Sequence, residues 1–139
     1  FAKETIHKVS KTKKQTFIST GNGVDKNFIE SEFKQNDYQY TYCVANYPTL
    51  DKELNWEELL KNSFFSDHTL GIAMPIAFMI LKKSLGYNEI FIEKHVKLEN
   101  SVGPDAPFSI TFNELQNMTD SINRLNNIKL DVLSKDNIR

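Results

Sequence analysis

The sequence is poor in the features that most quickly assign a protein to a class. It has a single cysteine, Cys43, so no disulfide can form within the chain. Nothing near the start combines a basic segment, an apolar run and a small-residue cleavage site, so no secretory signal peptide is read. A reducing cytoplasm is therefore the expected compartment. The most apolar stretch, Leu70 to Leu81, is about a dozen residues, short of the roughly 20 that cross a bilayer, and reads as a buried helix. Net charge is also scarce: at -1 it supplies no electrostatic pull toward nucleic acid or an anionic membrane, and neither is expected as a partner.

What is present is ordinary for a globular protein, with 40% hydrophobic and 25% charged residues in 139. The lysine-rich segment from Ala2 to Lys14 carries Ile6 and Val9 on one side and predicts an exposed amphipathic helix. The chain opens on Phe1 and on this helix with no strand before it, which reads as a start inside a longer frame. Gln15 to Thr20 is β-branched and aromatic and predicts a buried strand, closed by Gly21-Asn22-Gly23. A short helix is expected over Asp25 to Phe33 and a second strand over Tyr38 to Val44, with Pro48 forbidding its continuation. Trp56 to Leu60 predicts a helix after the polar lead-in Asp51 to Asn55, and Phe64-Phe65 runs into Ser66-Asp67-His68-Thr69. The apolar helix Leu70 to Leu85 should stop at Gly86, with Thr69 as its N-cap. Glu89 to Glu93 is the clearest strand, and a Gly103-Pro104 turn separates it from a helix over Ser109 to Leu125. There Thr111 and Glu114 have N-cap spacing, and Leu115, Met118, Ile122 and Leu125 share one face. Residues 127–139 read as a polar tail, so the folded domain is expected to end near 126.

Strands that alternate with helices imply a parallel sheet, and such sheets gather ligands at the carboxyl ends of their strands. Those ends carry Ser19-Thr20, Ala45 to Tyr47, Ser66 to His68 and Glu93 to His95. His68 and His95 are 27 positions apart, close to one βαβ repeat of about 30 residues, so they should stand at equivalent ends of adjacent strands. Two imidazoles there suit manganese, iron or zinc, with open positions for water or substrate. Paired structural histidines bonded to carboxylates are the other reading. Asp67 suits a loop-ordering role through backbone N–H groups rather than catalysis. Glu93 can bind a substrate hydroxyl or pair with Lys94 or Lys97. Ser19 and Thr20 before Gly21 read either as a phosphate or carboxylate contact or as a plain polar turn. Tyr47 is open between a packing ring and a hydroxyl facing substrate.

Five segments, in order, resemble the N-acetylneuraminate (sialic acid) synthase family, whose members also make legionaminic and pseudaminic acids. Phe17-Ile18-Ser19-Thr20-Gly21 resembles a strand ending in Ser-Thr-Gly, and Cys43-Val44-Ala45-Asn46-Tyr47-Pro48-Thr49 resembles Cys-Val-Ser-x-Tyr-Pro-Thr. Phe65 to Gly71 is similar to Tyr-Ser-Asp-His-Thr-x-Gly, and Ile92-Glu93-Lys94-His95 with the later Gly103-Pro104-Asp105 is similar to Ile-Glu-Lys-His followed by Gly-Pro-Asp.

The resemblance implies an α/β fold that is the parallel-strand half of a TIM (β/α)8 barrel, strands five to eight with their helices. A complete barrel takes roughly 250 residues, and this chain is much shorter. The implied reaction condenses phosphoenolpyruvate with an N-acylated hexose such as N-acetylmannosamine and releases phosphate by C–O cleavage. A divalent ion, usually manganese, would be held by His68 and His95, with Ser19 and Ser66 on phosphoenolpyruvate, Tyr47 and Asp105 facing the sugar, and Glu93 in the catalytic role. Family members pair as homodimers and carry a C-terminal antifreeze-like domain. Three departures stand out: Ala45 replaces a serine or asparagine, the approach from Leu60 to Phe65 is short and should cramp its strand, and the region after Gly21 is compressed. The expectation is a half-barrel of a nonulosonic acid synthase, whose site needs the other half. The rivals are a non-catalytic half-barrel that pairs its open edges as an assembly module, and an unrelated two-histidine metal hydrolase.

Overall fold

A computed structural model describes residues 3–21 and 23–128. Helix α1 (Lys3–Ser10) leads into β1 (Thr16–Ser19), α2 (Lys26–Glu32) and β2 (Tyr38–Cys43). A single 3-10 turn at Asp51–Glu53 precedes α3 (Trp56–Leu59), β3 (Phe64–Asp67), α4 (Ala73–Ser84) and β4 (Phe91–Lys94). Two short strands, β5 (Val96–Lys97) and β6 (Ile110–Thr111), follow, and α5 (Phe112–Asn126) closes the described chain.

The first four strands form one sheet in the order β1-β2-β3-β4, all parallel, and β5 pairs with β6 in a second, also parallel. This is the alternating α/β arrangement the sequence implies. Neighbours in sequence are neighbours in the sheet, with no reversal of direction along it. Because βαβ crossovers are right-handed, an order without reversal keeps all connecting helices on the same face.

That face holds the main core. Tyr42, Phe65 and Ile92 occupy one register row, and they pack with Leu54, Leu59 and Phe78 from the helical layer. Each such buried side chain contributes roughly 1.5–3 kcal/mol relative to exposure. A second cluster, Ile110, Met118 and Ile122, locks α5 to α4 through Ile72, Ile76 and Met79. The opposite face alternates with the first along each strand and carries Phe17, Phe64 and Phe91. Their rings lie against one another, with centroids 4.2 Å apart both for the tilted pair Phe17–Phe64 and for the stacked pair Phe64–Phe91. Phe17 and Phe91 remain 46% and 43% exposed, so among the described residues this aromatic face is only partly covered.

Several expected boundaries move, each for a local reason. The first helix stops at Ser10 instead of reaching Lys14, because the backbone turns back through Thr12 and Lys13, the latter at φ 55°. β1 is an edge strand with alternate residues exposed, not a buried one, since only β2 pairs with it. The apolar helix begins at Ala73, not Leu70: Gly71 takes φ 69°, and Pro75 falls in the first turn, where no intrahelical N–H bond is lost. Its N-cap is Ile72, so Thr69 does not cap it. The clearest strand runs from Phe91 to Lys94, two residues later at its start than Glu89. Between it and the last helix stand β5 and β6, which the alternating pattern did not anticipate. The short approach before Ser66 does not prevent β3 from forming: all four of its residues are buried, Phe64, Phe65 and Ser66 are paired on both sides, and Asp67 is paired to β4. Thr111 caps α5 as expected, with Glu114 returning the bond, and the helix ends at Asn126. Of the expected tail, residues 129–139 lie outside the described residues.

Candidate functional site at the carboxyl ends of the central strands

The register between β3 and β4 organises the site. Ser66 faces Glu93 and Asp67 faces Lys94 as Cα partners, so the alternation of a strand sends the two pairs to opposite faces of the sheet. Ser66 Oγ donates to Glu93 Oε1 at 2.7 Å on the aromatic-lined face. Lys94 Nζ reaches Asp67 Oδ2 at 2.7 Å, both side chains being buried. Glu93 therefore pairs with neither of the lysines considered for it, since Lys97 donates instead to the Ala106 carbonyl. Asp67 Oδ1 accepts the Thr69 N–H at 2.9 Å, the loop-ordering role its position suggested.

One residue further on, the chain brings His68 and His95 together, with ring centroids 5.3 Å apart. Two imidazoles that share one ion through bonds of about 2.0–2.1 Å have ring centres on the order of 5 Å apart, so the separation fits a common ligand. The His68 backbone is pinned where its carbonyl accepts the Thr49 N–H, and that of His95 where its carbonyl accepts the Ile110 N–H, both at 2.9 Å. His68 is buried, and its Nδ1 donates to the Val44 carbonyl at 3.0 Å, which leaves Nε2 as the nitrogen with a free lone pair. Cys43 Sγ lies 3.7 Å from the same Nδ1. His95 is one-third exposed, and its Nδ1 is 3.8 Å from Asp105 Oδ2, beyond direct hydrogen bonding. Among the described residues no group of three or more His, Cys, Asp or Glu is placed to hold an ion, so the described residues form no closed cage around the two imidazoles.

Two rings wall the pair. Tyr47 lies 4.3 Å from His68 between ring centroids, and Phe108 lies 5.0 Å from His95, with 5.3 Å between Tyr47 and Phe108 themselves. Partial burial, then the neighbouring Cys43, Asp105 and Glu93, raise the Tyr47 phenol above its ordinary pKa, so it stays a hydroxyl donor at neutral pH. Ser19 is exposed at the end of β1 and stands in the same register row as Thr41 and Phe64, below the histidines. Thr20, by contrast, gives its hydroxyl to the Thr41 carbonyl at 3.0 Å. A cavity of about 490 Å³ opens behind β5, bounded by Lys97, Leu98, Val102, Asp105 and Phe112, and it excludes both histidines.

The structure thus gathers His68, His95 and Tyr47, sets Asp105 at the rim, and joins Ser66 to Glu93. Ser19 makes no contact with them. Sequence reasoning overlooked Phe108, which carries no polar signal, and weighed Lys94 only as a partner of Glu93, although its 27-position offset from Asp67 repeats that of the histidines.

Comparison with known proteins is consistent with this architecture. The sequence model of the NeuB family matches residues 1–132. An uncharacterized protein of Methanocaldococcus jannaschii is 32% identical over 130 residues, covering 84% of this chain and 37% of that protein. The N,N'-diacetyllegionaminic acid synthase of Legionella pneumophila is 33% identical over 89 residues, or 58% of this chain and 23% of the synthase. The crystal structure of the spore coat polysaccharide biosynthesis protein spsE of Bacillus subtilis superposes with a TM-score of 0.66 at 22% identity, over 89% of this chain and 37% of that one. The chain therefore spans well under half the length of the proteins it matches.

Proposed function

Because the chain belongs to the NeuB family, we propose that it supplies part of the catalytic domain of a nonulosonic acid synthase, and that His68 and His95 hold its divalent ion. The observation that carries this reading is the 5.3 Å juxtaposition of the two imidazoles at the ends of adjacent parallel strands, with the His68 Nε2 left free by the Val44 bond. On this reading the substrates are phosphoenolpyruvate and an N-acylated hexose such as N-acetylmannosamine. Carbon 3 of the former attacks the sugar's aldehyde carbon, water adds at carbon 2, and phosphate leaves with its bridging oxygen. When bound, manganese or a similar ion supplies Lewis acidity toward the aldehyde oxygen.

The remaining roles belong to side chains of this chain. Tyr47, half exposed beside both imidazoles, offers its hydroxyl to the sugar, and Asp105 offers its carboxylate from the rim. Glu93 uses one oxygen for Ser66 and has the other to take a bond from a substrate hydroxyl. Ser66, first expected on phosphoenolpyruvate, serves in this arrangement to orient Glu93. Ser19 stays open for the phosphate or carboxylate end of phosphoenolpyruvate. Ala45 has no polar group to add.

The sheet itself is proposed as strands five to eight of a (β/α)8 barrel. Sequential strand order, helices on one face and a half-exposed aromatic stack on the other support an arc whose inner surface the rest of a longer polypeptide covers. The same open face favours the assembly-module alternative, whereas the two-histidine hydrolase has no support beyond the histidines themselves.

The test is direct. Manganese added to the 139-residue chain should bind by electron paramagnetic resonance titration, and His68→Gln and His95→Gln should each weaken it by more than about tenfold. Phosphate release from phosphoenolpyruvate, dependent on an N-acylated hexose, should appear when the longer polypeptide is assayed and vanish in both variants. Full binding or turnover in either variant would defeat the assignment.

A further inference from the structure

The buried pair Asp67–Lys94 belongs to the two strands that carry the histidines but faces away from them. The two are Cα partners in the β3–β4 register, each one residue before a histidine, and their side chains are 0% and 2% exposed. Lys94 Nζ donates to Asp67 Oδ2 at 2.7 Å and also to the Thr69 carbonyl. Asp67 Oδ1 in turn takes the Thr69 N–H at 2.9 Å. The residues before and after His68 are thus both tied to the residue before His95. The bracket closes around His68 from the side opposite the ring.

Stability alone is a weak reason for such a pair. Desolvating an ammonium and a carboxylate offsets most of their attraction, and an apolar pair of similar volume commonly stabilises a core as well or better. What the ion pair adds is direction, because three charge-assisted bonds through one ammonium and one carboxylate fix the relative height of two strand ends more narrowly than side-chain packing does. An offset of a fraction of a strand residue there would carry the two imidazoles out of common reach.

We infer that the Asp67–Lys94 pair is a positioning device that sets the spacing of the His68 and His95 rings across β3 and β4, although neither residue touches what those rings bind. The inference deepens the metal-site reading in its consequence, ion affinity. Its core claim concerns ring spacing and can be measured without an ion.

The test uses the 139-residue chain. Lys94→Met alone strands a buried carboxylate and can unfold the protein, so the informative variant is the double substitution Asp67→Leu with Lys94→Met, which removes both charges together. Thermal unfolding should show it folded. Nuclear Overhauser contacts between the His68 and His95 rings, present in the parent, should weaken or vanish. Manganese affinity should fall about 10–100-fold, the range found when residues behind metal ligands are changed, and the visible spectrum of bound cobalt should alter. A folded double variant that retains the ring contacts would overturn the inference, as would wild-type manganese affinity with an unchanged cobalt spectrum. If the parent binds neither manganese nor cobalt, the metal reading fails while loss of the ring contacts still upholds the positioning role. If the double variant does not fold, the combined substitution Asp67→Asn with Lys94→Gln, which also removes both charges together but leaves polar groups that can hydrogen-bond, gives the same two readouts.

Discussion

His68 Nδ1 lies 3.0 Å from the carbonyl oxygen of Val44, and a carbonyl can only accept. The neutral ring must therefore carry its proton on Nδ1 and present Nε2 unprotonated, the form a metal requires. Long-range proton–nitrogen correlation spectra in mildly alkaline buffer should give His68 a pyrrole-type Nδ1 and a pyridine-type Nε2. Zinc, a diamagnetic probe, should shift Nε2 and leave Nδ1 nearly in place. A ring protonated on Nε2 instead would remove the basis for calling His68 a ligand.

A glycine beside the site is constrained by space rather than by backbone angle. A Cβ at Gly21 would stand 2.8 Å from Cys43 Sγ and 3.3 Å from Ala45 Cβ. Gly21→Ala is therefore expected to destabilise the fold by about 1–3 kcal/mol through overpacking between the ends of β1 and β2. Urea denaturation should show the loss, and adding Cys43→Ala should recover part of it by removing the sulfur. Equal destabilisation with and without the sulfur would assign the effect elsewhere.

Much of this site was legible because parallel strands repeat. The equal offsets of Ser66 to Glu93 and Asp67 to Lys94 put two pairs of residues in register, with His68 and His95 one step beyond at the same offset, and the alternation of side chains divides the two pairs between the two faces. The ordered motifs identified the family. What could not be read were the pairings across that register. Nothing in the sequence distinguishes a Glu93 that bonds Ser66 from one that bonds Lys97, because the choice depends on which face each side chain leaves by. Helix ends moved for a related reason. Thr69 has the chemistry of an N-cap, but Gly71 at φ 69° delays the helix until Ala73, so Thr69 stands three residues before the N-cap position at Ile72. β5 and β6 pair over only two residues each, too few for any periodicity to register.

The aromatic face makes a separate prediction about the chain by itself. Phe17 and Phe91 flank Phe64 on the side of the sheet away from the helices and are nearly half exposed. Such a patch should bind a hydrophobic dye and promote self-association at high concentration. The double variant Phe17→Ser with Phe91→Ser should reduce both, at a stability cost of about 1–3 kcal/mol from the lost ring contacts. In a longer polypeptide that covers this face, the parent should bind no more dye than the variant. Strong dye binding there would count against the half-barrel reading.

Lys82 offers a pH test far from the histidines. It is fully buried in α4, its Nζ donates to the Leu60 carbonyl at 3.0 Å, and it sits 3.2 Å from the centre of the Tyr87 ring. Burial pushes its ammonium below the ordinary value of 10.5. An unfolded chain keeps that proton up to its ordinary pKa, while the folded chain releases it earlier, so between the two the unfolded state binds more protons. Stability contributed through Lys82 must then rise with pH across that window, by at most about 1.4 kcal/mol per pH unit for one proton. Tyr40 acts with the opposite sign, because burial raises its phenol to about 12 and the folded state is the one that holds the extra proton above 10. Comparing the parent with Lys82→Met at each pH cancels the tyrosine. Urea denaturation from neutral to strongly alkaline pH should show the parent gaining on the variant as pH rises toward 10.5. A constant difference would mean that the buried amine titrates as it does in water, and that the carbonyl and the ring offset its desolvation.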